Sequence, residues 1–203
     1  MTRQSLEASL RATALTALML LASAATLSAH EQQGQAQGFL TGLRHPISGW
    51  DHVLAMIAVG LWGAQLGPPA LWMLPVTFPM VMAVGGFLAL VGILVPGVEL
   101  GVAVSALVLG LMVALEAKPK LVVAAVIVGA FAIFHGHAHG AELPAGQSGL
   151  AYSIGFVVAT GCLHLVGIAI GLVHKWPLGR TALRATGAAV AAAGITFVWR
   201  AFA

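Results

Sequence analysis

Residues 120–142 read KLVVAAVIVGAFAIFHGHAHGAE. A lysine opens the stretch, an uncharged apolar run follows from Leu121 to Phe134, and His135, His137, His139 and Glu142 crowd its far end. A run this apolar, taken as a helix over about 120–138, is long enough to cross ~30 Å of hydrocarbon. Imidazole and carboxylate are costly in or beside hydrocarbon, and they are also the usual ligands of divalent transition metals. One stretch therefore announces both a spanning helix and a chemistry gathered at its end. A second segment mirrors it from the other direction: His45-Pro46-Ile47-Ser48-Gly49-Trp50-Asp51-His52 opens an apolar span.

The rest of the chain agrees with a membrane reading. It is 60% hydrophobic and only 7% charged, with a mean hydropathy of +0.99, whereas a soluble domain carries roughly 25% charged residues. So little charge cannot cover a water-facing surface. The expected fold class is all-α: an integral membrane protein with six transmembrane helices after an N-terminal signal peptide. The sequence pI of about 9.6 does not imply nucleic acid, because the basic residues are scattered and no aromatic-plus-basic pattern accompanies them. Cys162 has no partner cysteine, so no intramolecular disulfide forms.

Residues 1–29 read as the signal peptide. Arg3 and Arg11 supply the positive region, Ala12 to Ala25 the short apolar core, and Leu27-Ser28-Ala29 the cleavage site. Residues 30–44 would be a short periplasmic segment and 45–203 the six-helix domain. The spans are expected near 46–66, 71–95, 99–117, 120–138, 149–173 and 183–202, separated by breaks such as Gly67-Pro68-Pro69, Pro96-Gly97 and Lys118-Pro119-Lys120. Lys118, Lys120, Lys175, Arg180 and Arg184 fall in two loops of the same side, which the positive-inside rule makes cytoplasmic. Arg44, and more weakly Arg200, run against that rule. Segments 45–52 and 135–142, with Glu99, then fall at the outer face, that is, the periplasmic side of a bacterial inner membrane.

On a helix starting at Pro46, His45, Gly49, His52 and Met56 share one stripe, and Asp51 meets the favourable N-terminal end of the helix dipole. In the later cluster, a continuing helix puts His135, His139 and Glu142 on one face and turns His137 away. An extended loop would instead project the three histidines the same way. His164 lies deep in the fifth span, where a histidine needs a partner and faces the bundle interior. Thr160, one turn earlier, is a candidate partner. Pro75 and Pro79 should bend the second span and free backbone carbonyls, which could line a path, although bent packing is the plainer reading. Cys162 reads as a small packing residue. No phosphate-binding Gly-x-x-x-x-Gly-Lys-Ser/Thr loop and no His-Glu-x-x-His or Gly-x-Ser-x-Gly motif occurs, so neither ATP hydrolysis nor hydrolase chemistry is expected, and the chain is not read as an enzyme.

The run His45-Pro46-x-x-Gly49-x-Asp51-His52, with Met56 and Val59-Gly60-Leu61-Trp62, resembles the HupE/UreJ family. So do Phe134-His135-Gly136-His137-Ala138-His139-Gly140-x-Glu142 and Thr160-x-x-x-His164-x-x-Gly167. The resemblance implies a secondary permease for nickel, with cobalt in some members, that serves hydrogenase or urease maturation. It implies that His45, Asp51, His52, His135, His137, His139 and Glu142 handle the metal, and the residue reading adds His164 as the next station inward. The expected partners are a nickel or cobalt ion as substrate and membrane lipid, with no nucleic acid. No permanently bound cofactor is expected, and a homo-oligomer is compatible with the sequence. The alternative is a non-transporting membrane metal-binding protein, either a sensor or chaperone or a bis-histidine haem carrier using a pair such as His52 and His164.

Overall fold

The structure, a computed structural model, describes residues 36–203, and every element within them is helical. The expected signal peptide at 1–29 lies outside the described residues. Helix α1 (Ala36–Ile47) ends in a tight 3-10 turn at His45–Ile47 and is followed, after a 78° bend, by α2 (Trp50–Leu66). Then come α3 (Ala70–Leu90), α4 (Val98–Ala114), α5 (Leu121–Ala141), α6 (Gly149–Gly171) with a 3-10 extension to Lys175, and α7 (Pro177–Phe202).

Among the described residues, four helices, α3, α5, extended α6 and α7, are long and apolar enough to cross a membrane, and the bent α1–α2 pair makes a fifth if it counts as one span. With its apolar helices, the chain is a multi-pass membrane protein. Several expected spans differ in detail: the one expected at 71–95 ends at Leu90 and the one expected at 183–202 begins at Pro177, and two more differ as follows. The span expected at 46–66 starts at Trp50 instead, because Gly49 is extended (φ −111°, ψ 123°) and breaks the chain before the helix begins. Consequently His45 belongs to the end of α1 and shares no helical stripe with His52. The span expected at 99–117 is only 17 residues, Val98–Ala114. At 1.5 Å per residue that is about 26 Å, a little short of the hydrocarbon thickness.

Central α2 is buried on all sides, from Ala55 and Met56 through Leu61, Trp62 and Ala64. A helix apolar all round belongs in such a position. The outer helices turn large apolar side chains outward instead, among them Trp72, Met80, Phe87, Val122, Leu165 and Trp199. In water such a surface would aggregate; in lipid it is the ordinary exterior.

Glycines set how closely the helices approach. A methyl at Gly60 would strike the His164 carbonyl, and one at Gly167 the Ile57 carbonyl, so α2 and α6 meet backbone to backbone. The α3–α5 seam does the same through Gly85, Gly136 and Gly140, and the α4–α7 seam through Gly110, Gly187 and Gly194. Small residues at membrane helix seams permit this proximity, and dispersion between the backbones rewards it. Helix α1 joins the α2–α6 pair, since Gly42 abuts the Tyr152 carbonyl and Gly155 the Phe39 carbonyl.

The two ends of the bundle differ in chemistry. At one end Arg180 Nε lies 3.5 Å from Glu116 Oε1, and Arg184 Nε donates to the Ala114 carbonyl at 3.0 Å. Both basic loops therefore share that end. There, Trp62 Nε1 donates to Ala117 O at 2.9 Å and Gln65 Nε2 to Val113 O at 3.1 Å, tying the end of α2 to the α4–α5 connection. Helix α5 runs from this end to the other and delivers its histidines there.

Candidate metal site

The two histidine segments, far apart in sequence, meet. His45 Nε2 is 2.7 Å from Glu142 Oε2, and the His45 and His139 rings are 4.6 Å apart, edge to face. His52 stands with its ring centroid 4.4 Å from His139 and 4.5 Å from His135. The local reason is that α5 continues as a helix through Ala141, with Glu142 as its cap. The glycines at 136 and 140 do not break it; they let it press against Met82 and Gly86 of α3. Helical spacing then stacks His135 and His139 one turn apart, with Glu142 above them, and the extended-loop alternative is excluded.

His45, His139 and Glu142 can each offer one ligand atom, all within 4.8 Å of one another. Two ligands of one ion stand at most about 4.2 Å apart, twice a metal–nitrogen bond of roughly 2.1 Å. Closing the difference takes about 0.6 Å, within the reach of a rotamer adjustment. His139 is buried and neither of its ring nitrogens has a partner among the described residues. The same holds for His52 Nε2, His135 Nδ1 and His164 Nε2. Buried polar nitrogens without partners are costly. Five of the nine such side-chain N and O atoms among the described residues are these histidine nitrogens, the atoms that would bind a cation.

The opposite nitrogens are anchored. His52 Nδ1 lies 3.1 Å from Asp51 Oδ1, which also accepts the His52 backbone N–H at 2.8 Å. His135 Nε2 is 2.8 Å from Ser105 Oγ. His164 Nδ1 is 3.1 Å from the Pro75 carbonyl. Metal-ligating histidines characteristically donate their other ring N–H to such acceptors, which fix the ring and its tautomer.

His164 lies deeper. Its carbonyl is level with Gly60 of α2, eight residues beyond His52 and so further into the bundle. Phe78, fully buried, packs edge-on to both His135 and His164, at centroid distances of 5.3 and 5.5 Å. Thr160 Oγ1 is buried without a partner among the described residues, and His164 turns to the Pro75 carbonyl instead of to it.

His137 does not join the cluster. It faces the α3–α4 connection, where its Nε2 donates to the Ile93 carbonyl at 2.9 Å. Cys162 is exposed on α6 and fills no core position. Asp51, His52, Glu99, Glu142 and Arg200 line a cavity of about 410 Å³ beside the cluster. Behind His139, Tyr152 and Phe156 contribute to an apolar cavity of about 340 Å³. Phe156 packs against the His139 ring with centroids 3.9 Å apart.

Sequence reasoning passed over Ser105, Phe78 and Phe156. Ser105 did leave a signal: it is the one hydroxyl in the otherwise apolar Gly101–Ala114 run. The two aromatic residues left none that separates them from ordinary core.

No solved structure matches the chain. Its sequence is 47% identical over 167 residues to Protein HupE of Rhizobium leguminosarum bv. viciae, covering 82% of this chain and 87% of that protein. Residues 16–197 match the model of the HupE / UreJ protein family. With the motif residues of both histidine segments gathered at one end of an apolar bundle, the chain belongs to the HupE/UreJ family.

Proposed function

We propose that the chain is a secondary transporter that imports a divalent metal, nickel foremost and cobalt next, across the bacterial inner membrane for a metalloenzyme such as hydrogenase or urease. The observation that carries this reading is the convergence of His45, His52, His135, His139 and Glu142 at the bundle end opposite both basic loops. By the positive-inside rule the histidine end faces the periplasm, where a cleaved signal peptide at 1–29 would also leave the N-terminus. Six spans fit this orientation. Short α4 packs along α7 and connects the His137–Ile93 end to the Glu116–Arg180 end, as a crossing helix must.

In this mechanism the carboxylates of Asp51, Glu99 and Glu142 around the cavity attract the hydrated cation. His45, His139 and Glu142 exchange ligand atoms for its water, aided by the unpartnered nitrogens of His52 and His135. His164, next to the shared neighbour Phe78, receives it on the way inward. Asp51 acts through His52, whose ring it orients. His137 supports the site by holding the α3–α4 connection.

Accumulation of radiolabelled nickel and cobalt in cells expressing the chain tests the reading. Uptake should exceed that of a His52→Ala/His135→Ala variant present at equal level in the membrane. Equal accumulation in the two would refute transport. A Soret band in the purified protein would direct attention to haem instead.

A further inference from the structure

Two of the site's histidines are held by groups outside the histidine segments, and the chemistry of those groups dictates which ring nitrogen remains free. Ser105 has one hydroxyl proton, and its Oγ donates that proton to the Val102 carbonyl at 2.6 Å. The 2.8 Å contact with His135 Nε2 can then only have the imidazole as donor, with the serine oxygen accepting. His135 thus carries its proton on Nε2, and the lone pair sits on Nδ1, the buried atom with no partner.

His164 is held in the opposite sense. In a regular helix the Pro75 carbonyl would accept from the backbone N–H four residues on, but that residue is Pro79, which has none. The carbonyl is left for another donor, and His164 Nδ1 supplies it at 3.1 Å. A carbonyl only accepts, so Nδ1 carries the proton and the lone pair sits on Nε2, again buried and unpartnered. Both anchors reach across helix seams: Ser105 from α4 to α5, Pro75 from α3 to α6.

We propose that Ser105 and Pro79 are positioning residues of the metal path, Ser105 by accepting the Nε2 proton of His135 and Pro79 by leaving the Pro75 carbonyl open to His164. His135 is thereby set to present Nδ1 and His164 to present Nε2. The proposal rests on the reading of these histidines as metal ligands and goes beyond it, because neither positioning residue touches the ion. Neutral imidazole freed of its acceptor exchanges tautomers and turns about its side-chain bonds. Losing an outer partner of this kind typically weakens metal binding by about 10- to 100-fold.

The test uses the full chain in lipid nanodiscs with isotope-labelled histidine, nitrogen NMR to read the tautomers, and nickel titration for affinity. His135 and His164 signals are assigned by their loss in His135→Ala and His164→Ala variants. The wild type should show His135 protonated on Nε2 and His164 on Nδ1. Ser105→Ala should mix the His135 tautomers and weaken nickel binding by about 10- to 100-fold, while Ser105→Thr, which keeps the hydroxyl, restores both. Pro79→Ala returns an N–H to the Pro75 carbonyl. It should raise the melting temperature, as removal of a mid-helix proline does, yet mix the His164 tautomers and weaken binding. Damage to the fold would move stability and affinity together, so opposite changes identify positioning. A wild type with His135 protonated on Nδ1 overturns the proposal without any variant. So do unchanged tautomers and affinity in Ser105→Ala and Pro79→Ala. If tautomers and binding respond as expected but cells accumulate no nickel, the proposal stands and the transport reading alone fails.

Discussion

Replacing Gly136 with alanine should destabilise the protein, whereas the same change at Gly129, two turns earlier on α5, should stabilise it. Glycine within a helix gives up more chain entropy than alanine, about 0.5–1 kcal/mol per site. At Gly129 the added methyl meets Val81 Cγ2 at 3.8 Å, an ordinary contact, so that gain is kept. At Gly136 it meets the Met82 carbonyl, with the carbonyl carbon at 2.7 Å and Gly86 N at 2.9 Å. These are backbone atoms of α3 and cannot rotate aside. Restoring a separation of about 3.5 Å from the carbonyl carbon and the Gly86 nitrogen alone requires α3 and α5 to part by roughly 0.6–0.8 Å, and the nearer Met82 carbonyl oxygen demands more still. Overpacking of this kind costs about 1–3 kcal/mol; the entropic gain is common to both glycines, so the two variants stand about 1–3 kcal/mol apart. Metal–ligand distances tolerate only about ±0.2 Å, so the shift should also weaken nickel binding, because His135 and His139 flank the displaced residue. Unfolding of both variants in the same detergent, with nickel titration, measures both effects. A Gly136→Ala protein as stable as Gly129→Ala would refute the backbone-to-backbone seam.

His139→Ala should cost far more nickel affinity than His137→Ala, since His139 has two unpartnered nitrogens inside the cluster and His137 is committed to the Ile93 carbonyl; titration of the purified variants decides it. His137→Ala should instead lower stability by about 0.5–1.5 kcal/mol, the net worth of a hydrogen bond. Trp62→Phe keeps the ring in the core but strands the Ala117 carbonyl. It should cost about 0.5–1.5 kcal/mol in thermal or denaturant unfolding.

The apolar runs were legible because their length and lack of charge leave few alternatives to a helix in lipid. What the runs could not reveal was where a helix changes direction. Pro46 suggested a start at that residue, but proline is equally at home in the last tight turn of α1, and the extended backbone at Gly49 makes the break. The meeting of the two histidine segments was foreseeable once the basic loops fixed which ends lie together. Whether α5 continued through Gly136 and Gly140 was not. Those glycines read locally as breakers, and only the backbone of α3 on the other side explains them as contact points. Pro79 was readable as the source of a free carbonyl; that His164 would take it depends on how α3 packs against α6.

The glycine seams divide the bundle into three bodies: α1 with α2 and α6, α3 with α5, and α4 with α7. Within each, backbone lies on backbone, and little can slide without collision. Between them the glycine contacts are looser or softer: Gly63 of α2 meets the first turn of α3 at 3.3 Å or more, and Gly101 of α4 meets the Phe134 side chain. His45, His52 and His164 ride on the first body; His135, His139 and Glu142 ride on the second. A cation coordinated from both sides would act as a rivet, fastening two plates that thermal motion otherwise lets rock. Its departure would release them. A bound cation would then govern how the two bodies rock, because its ligands are split between them rather than built into one.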